Sequence, residues 1–147
     1  MWLFNAPPLK QLKDKYQFEP SPQWLEHLQK ASVRFNSGGS GSFVSPNGLV
    51  ITNHHVGLDT LQKISSEKNN YVRDGFYARK QKEEPKATDL ELNVLMSIED
   101  VTDRVKAAVP SGLSAEDANK ARGNIIAQIE NESKQKTGLR SDVVTLY

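Results

Sequence analysis

The chain offers few groups that could do chemistry. Its 147 residues contain no cysteine and three histidines, His27, His54 and His55. Thiolate nucleophiles, thiolate metal sites and disulfides are therefore excluded, leaving Ser, Thr, His and carboxylates. Two of the three histidines are adjacent, and that pair is the informative feature. A serine hydrolase needs an imidazole at the edge of a rigid element, where one ring nitrogen takes the nucleophile's proton and a carboxylate holds the other. Neighbouring residues on a strand face opposite ways, so at most one of the pair enters a cleft and the other is structural. A bare His-His dipeptide is equally compatible with rings that satisfy local hydrogen bonds or lie exposed. A metal-binding module using His54 and His55 ranks lower, because adjacent histidines do not easily converge on one ion and no third ligand stands at a recognised interval. His27 reads as ordinary helix surface or packing.

The elements that must hold the pair are legible around it. Ser42-Phe43-Val44-Ser45 and Leu49-Val50-Ile51-Thr52 are β-prone runs separated by Pro46-Asn47-Gly48, the turn chemistry of a hairpin. Asn53 breaks the β pattern, and Leu58, Leu61 and Ile64 resume helical spacing, so His54 and His55 fall at a strand-to-helix junction. Upstream, Asn36 to Gly41 reads as a loop, with too little side chain to pack and too much backbone freedom. That glycine run is a poor phosphate site, since it lacks the GxxxxGK[ST] lysine and feeds a strand instead of a helix.

Further out, Pro7 to Tyr16 has helical spacing through Leu9, Leu12 and Tyr16, with a proline in the first turn. Ser21-Pro22 supplies an N-cap and first-turn proline for a second helix with a stripe of Trp24, Leu25, Leu28 and Ala31. Residues 65–88 read as a polar surface excursion pinned by Tyr71, Val72, Phe76 and Tyr77. Leu90, Leu92, Val94, Met96 and Ile98 alternate with Glu91, Asn93, Leu95 and Ser97, the period of a strand with one buried face. Val101 to Val109 reads as a short helix. A longer one opens at Ser114, lines one side with Ala118, Ala121, Ile125 and Ile129, and stops at Thr137-Gly138. Val143 to Tyr147 reads as a new β-prone run, and a domain seldom ends on one.

At 37% hydrophobic and 25% charged the composition is that of a soluble globular domain. The 19 Lys and Arg nearly cancel the 18 Asp and Glu, so no overall field draws nucleic acid or an anionic membrane. No apolar run approaches the ~20 residues needed to span a bilayer, and the first residues lack a basic and apolar signal pattern.

The string GSFVSPNGLVITNHHV, with Ser42 to His55 at its heart, closely resembles the histidine motif of the bacterial dipeptidyl-peptidase 7 and 11 type of serine peptidases. The resemblance extends in register through Met1-Trp2-Leu3-Phe4, Ser32-Val33-Arg34-Phe35-Asn36, Asp74-Gly75-Phe76-Tyr77-Ala78-Arg79 and Ser97-Ile98-Glu99-Asp100-Val101-Thr102, in effect the whole chain. It implies a catalytic base at His55, with His54 its non-catalytic neighbour. The chain departs from the pattern at Val56, where many members have cysteine; the loss removes a thiol but no catalytic group.

On the resemblance, the fold class is α+β. Residues 1–147 are expected to be the amino-terminal part of the peptidase catalytic domain: part of a chymotrypsin-like β-barrel bearing the histidine hairpin, with amino-terminal and peripheral helices, truncated at the carboxy end. Asp100 and Asp103 follow His55 at about a chymotrypsin-like interval, but the resemblance implies a triad aspartate and serine much farther along, and Glu99 and Asp100 read as cap or surface residues. The implied activity is release of dipeptides from the amino end of oligopeptides, with a peptide substrate, no metal, no cofactor, a homodimer as partner and a periplasmic or secreted location. A non-catalytic scaffold that keeps the fold is the runner-up, since fold does not guarantee function.

Overall fold

The computed structural model describes residues 2–146. They divide into two compact units, one up to Ile98 and one from Glu99 onwards.

In the first unit two helices lead into a sheet. Helix α1 spans Leu9–Tyr16, with Pro7 and Pro8 ahead of it and not in its first turn, and it ends where Gln17 takes the left-handed conformation. Helix α2 spans Pro22–Ala31, and the Ser21 hydroxyl accepts the Trp24 N–H at 3.1 Å as expected of that N-cap. Its stripe is only partly covered: Leu25 and Ala31 are half-buried, while Trp24 and Leu28 stay exposed. Trp24 meets Phe18 edge to face, with ring centroids 5.2 Å apart.

Four antiparallel strands follow in the spatial order β3-β2-β1-β4: β1 Ser32–Phe35, β2 Ser40–Phe43, β3 Val50–Thr52 and β4 Leu92–Val94. The sheet is open; among the described residues neither edge continues into a further strand. The hairpin of β2 and β3 is as expected, pairing Phe43 with Val50, Ser42 with Ile51 and Gly41 with Thr52. Its turn closes with Val44 N–H on the Leu49 carbonyl at 2.8 Å, and Gly48 takes the positive φ of 84°.

Two strand expectations need correction. Asn36 to Gly41 is not wholly a loop, because Ser40 and Gly41 belong to β2 and pair with Arg34 and Val33. Glycine is needed at 41 for packing: a Cβ there would stand 2.6 Å from the Ile51 carbonyl oxygen and 2.9 Å from the Phe35 ring. Strand Leu90 to Ile98 is cut to Leu92–Val94, whose only ladder among the described residues runs against the short β1, Val33 to Val94 and Phe35 to Leu92. Beyond the ladder, the Asn36 backbone N–H donates to the Glu91 carbonyl at 3.1 Å, and two side chains meet the rest of the flanking backbone. Asn36 accepts the Glu91 N–H at 3.1 Å, and Gln29 donates to the Leu95 carbonyl at 2.9 Å.

The core beneath the sheet consists of Val33, Phe35 and Val56, exposed by only 4%, 3% and 6%, with Phe43, Val50, Leu90 and Val94 packed against them. Val56 belongs to helix α3, His54–Ile64, which starts two residues after β3. The segment 65–88 holds a one-turn helix α4, Tyr71–Asp74, and a 3₁₀ turn, Gln81–Glu83. Of its four expected anchors only Tyr71 is half-buried; Phe76 meets it edge to face at 5.1 Å but is itself exposed, as are Val72 and Tyr77, the last by 84%.

The second unit is helical. Helix α5 spans Thr102–Ala107 and α6 spans Ala115–Thr137, ending on left-handed Gly138. Ser114 caps α6, accepting the Asp117 N–H at 3.1 Å and donating to the Asp117 carboxylate at 2.7 Å. Ile129 is buried, and Ala118, Ala121 and Ile125 on the same side are half-buried. Arg104 of α5 pairs with Glu132 of α6 at 2.7 Å, which holds that carboxyl below its ordinary range. The run from Val143 to Leu146 forms no strand; Val143 donates its N–H to Glu130 at 2.8 Å and Ser141 meets Ser133 at 2.7 Å, so the segment lies back on α6. Tyr147, the last residue of that run, lies outside the described residues.

Candidate active site around His55

The position of the histidine pair follows from what precedes and follows it. Strand β3 is locked at its end by Thr52, whose hydroxyl donates to the Ser40 carbonyl at 2.7 Å. Asn53 then turns the chain, its carbonyl accepting the Val56 N–H at 3.0 Å, and α3 begins at His54. Val56 is drawn into the core by Val33 and Phe35, so the first turn of the helix is fixed by burial two residues after it starts.

Both histidines are exposed. They do not face opposite ways as residues of a strand would, because they occupy consecutive positions of a helix, where successive side chains are about 100° apart. His55 lines a recess of about 510 Å3 together with Ser37, Gly38, Val56 and Asp59, and His54 is not among its lining residues. The first wall of that recess comes from the β1–β2 turn. Phe35 N–H bonds the Gly39 carbonyl and Gly38 N–H the Phe35 carbonyl, each at 3.1 Å, and Gly38 and Gly39 both take φ of 94°. Gly39 is also pressed against α3: a Cβ at this position would lie 2.4 Å from Val56 Cγ2. The branched aliphatic at 56 thus fills the space beneath the turn and holds it beside the imidazole.

The second wall is Asp59, one helical turn beyond His55. Lys63 bonds Asp59 at 2.7 Å and reaches Asp89 at 3.2 Å, and the two carboxylates hold its ammonium above the ordinary lysine range. Asp59 carries a signal in the sequence through its spacing of four from His55, whereas Ser37 and Gly38 are brought beside the imidazole only by strand pairing. His27 is exposed on α2, in keeping with its reading as helix surface.

Asp100 and Asp103 lie in the second unit. Asp100 accepts the Thr102 N–H at 2.9 Å, and that hydrogen bonding holds its carboxyl low, the behaviour of a residue closing the start of a helix. Among the described residues, no three His, Asp or Glu side chains converge on a point where a metal ion would sit, and no helix is long and apolar enough to cross a membrane.

Comparison with known proteins adds a second line of observation. The sequence model of the family described as Peptidase S46 matches residues 1–147. A protein named dipeptidyl-peptidase 7 from Capnocytophaga gingivalis is 33% identical over 108 residues, covering 74% of this chain and 15% of that relative. An Asp/Glu-specific dipeptidyl-peptidase from Flavobacterium psychrophilum is 36% identical over 118 residues, 78% of this chain and 16% of the relative. A dipeptidyl-peptidase 7 from Porphyromonas endodontalis is 36% identical over 121 residues, again 78% of this chain and 15% of the relative. The matched part of the chain thus spans only about a sixth of these relatives.

Proposed function

The chain belongs to the peptidase S46 family, and from that premise we propose that it is the histidine-bearing amino-terminal part of a serine dipeptidyl-peptidase whose general base is His55. The observation that carries the reading is the exposed imidazole of His55 at a recess between the β1–β2 turn and α3, inside the residues that the family model matches. The proposed reaction is acyl transfer. A serine hydroxyl from sequence outside residues 1–147 attacks the carbonyl of the second residue of a peptide while His55 takes its proton. The tetrahedral intermediate collapses as His55 returns that proton to the leaving amine, and water then releases the dipeptide from the acyl-enzyme with His55 again as base.

An aspartate outside residues 1–147 would orient the imidazole, and the open sheet would continue into a chymotrypsin-like barrel using strands from the same outside sequence. Homodimer formation and a periplasmic or secreted location belong to the same proposal. On this reading residues 1–147 alone hold the base without its nucleophile and are inactive. A lone base is worth only about 10²- to 10⁴-fold in a reaction that needs every part together.

The experiment is to assay the full-length protein, His55→Ala and His54→Ala on dipeptidyl chromogenic substrates. The expected result is a loss of about 10⁴-fold or more for His55→Ala, with His54→Ala within about tenfold of the parent. Retained activity in His55→Ala removes the assignment of the base, and an inactive parent returns the scaffold reading.

A further inference from the structure

We infer that Asp59 is a specificity-determining residue, favouring substrates with lysine or arginine immediately after the cleaved bond. The inference rests on the peptidase reading with His55 as base. In that chemistry the proton taken by His55 goes to the leaving amine, so the leaving nitrogen must come within about 2.6–3.2 Å of the imidazole. The substrate residue that owns this nitrogen is therefore held next to His55, and its side chain enters whatever space opens beside the ring.

That space is the recess lined by Ser37, Gly38, His55, Val56 and Asp59, of about 510 Å3, large enough for a long side chain. Apart from the histidine itself, the ionisable group on its wall is Asp59. Residues four apart on a helix lie about 5–6 Å from each other at Cβ, which is within the reach of a single side chain leaving a backbone fixed at His55. Asp59 belongs to a cluster that stays negative even with its lysine partner. Lys63 is shared between Asp59 at 2.7 Å and Asp89 at 3.2 Å, so one ammonium faces two carboxylates and the group keeps one net negative charge. A cationic side chain is attracted into the recess and an anionic one is repelled. The Asp59 side chain is 67% exposed, so the preference is modest and sensitive to salt.

The test uses the full-length protein and three oligopeptides that differ only in the residue after the cleaved bond, Lys, Ala or Glu, with the released dipeptide quantified for kcat/KM. The expected result is a Lys-to-Glu ratio above one that falls about two- to fivefold in Asp59→Asn, is kept in Asp59→Glu, and shrinks as salt is raised. An unchanged ratio in Asp59→Asn, with dipeptide release intact, overturns this inference alone. A uniform loss across the three peptides overturns it too, because Asp59 would then act on His55 and not on the substrate. If the parent releases no dipeptide from any of them, the peptidase reading fails and this inference with it.

Discussion

In the unit up to Ile98 the buried side chains are Val33, Phe35 and Val56, brought together from β1 and α3, which are well separated in the chain. In the unit from Glu99 the buried side chain is Ile129, within the 23-residue helix α6. The first unit holds its shape by long-range pairing and by close approach at Gly39 and Gly41. The second holds it by hydrogen bonds between near neighbours, a serine cap, a glycine stop and an exposed ion pair. The difference teaches where a catalytic group must be placed. An imidazole kept to a fraction of an ångström needs a support that cannot fray, and packing against several distant elements supplies it where a surface helix does not.

That contrast can be broken most severely at Phe35. Phe35→Ala empties the centre of the small core under the sheet and is expected to cost about 3–5 kcal/mol, a large part of a domain's stability. Denaturant unfolding of the full-length protein would register it as an earlier loss of structure, and on the proposed activity dipeptide release falls in parallel.

A sharper cut is Gly39→Ala, which leaves the core residues in place and disturbs only the contact of turn and helix. The added Cβ would meet Val56 Cγ2 at 2.4 Å at a residue whose φ is 94°, so strain and overpacking together should cost about 1–3 kcal/mol. The Ser37–Gly38 wall is pushed away from His55, and kcat should fall further than thermal stability alone explains. A variant that melts early but keeps full kcat below its Tm would show that the turn does not position the proposed base.

The smallest effect is expected in the other unit. Ser114→Ala removes the cap of α6 at a cost of about 1 kcal/mol. Hydrogen exchange should rise in the first turn of α6 while kcat for the proposed dipeptide release stays as in the parent.

The same contrast explains what could be read without a structure. The Ser21 and Ser114 caps, the Gly138 stop, the Pro46-Asn47-Gly48 turn and the strand-to-helix junction at the histidine pair were legible, because each is set by residues within a few positions of one another. Strand β1 was not, since four residues following a helix without a break carry too short an alternation to stand out. Strand β4 was read too long, because alternation records which residues suit a strand and not how many partners the neighbouring strand can offer. The tail from Val143 has β-prone residue types, yet Glu130 takes its N–H.

By itself the sequence determined that residues 1–147 bring no thiol to the chemistry, and that the histidine pair falls where a hairpin gives way to helical spacing. Only the tertiary structure decided that Ser37, Gly38 and Asp59 stand around His55 and that Val56 is clamped beneath Gly39. The physical reason is that turns and caps are local hydrogen-bond choices, whereas the walls of a recess are fixed by strand register and core burial between segments the chain order does not place side by side.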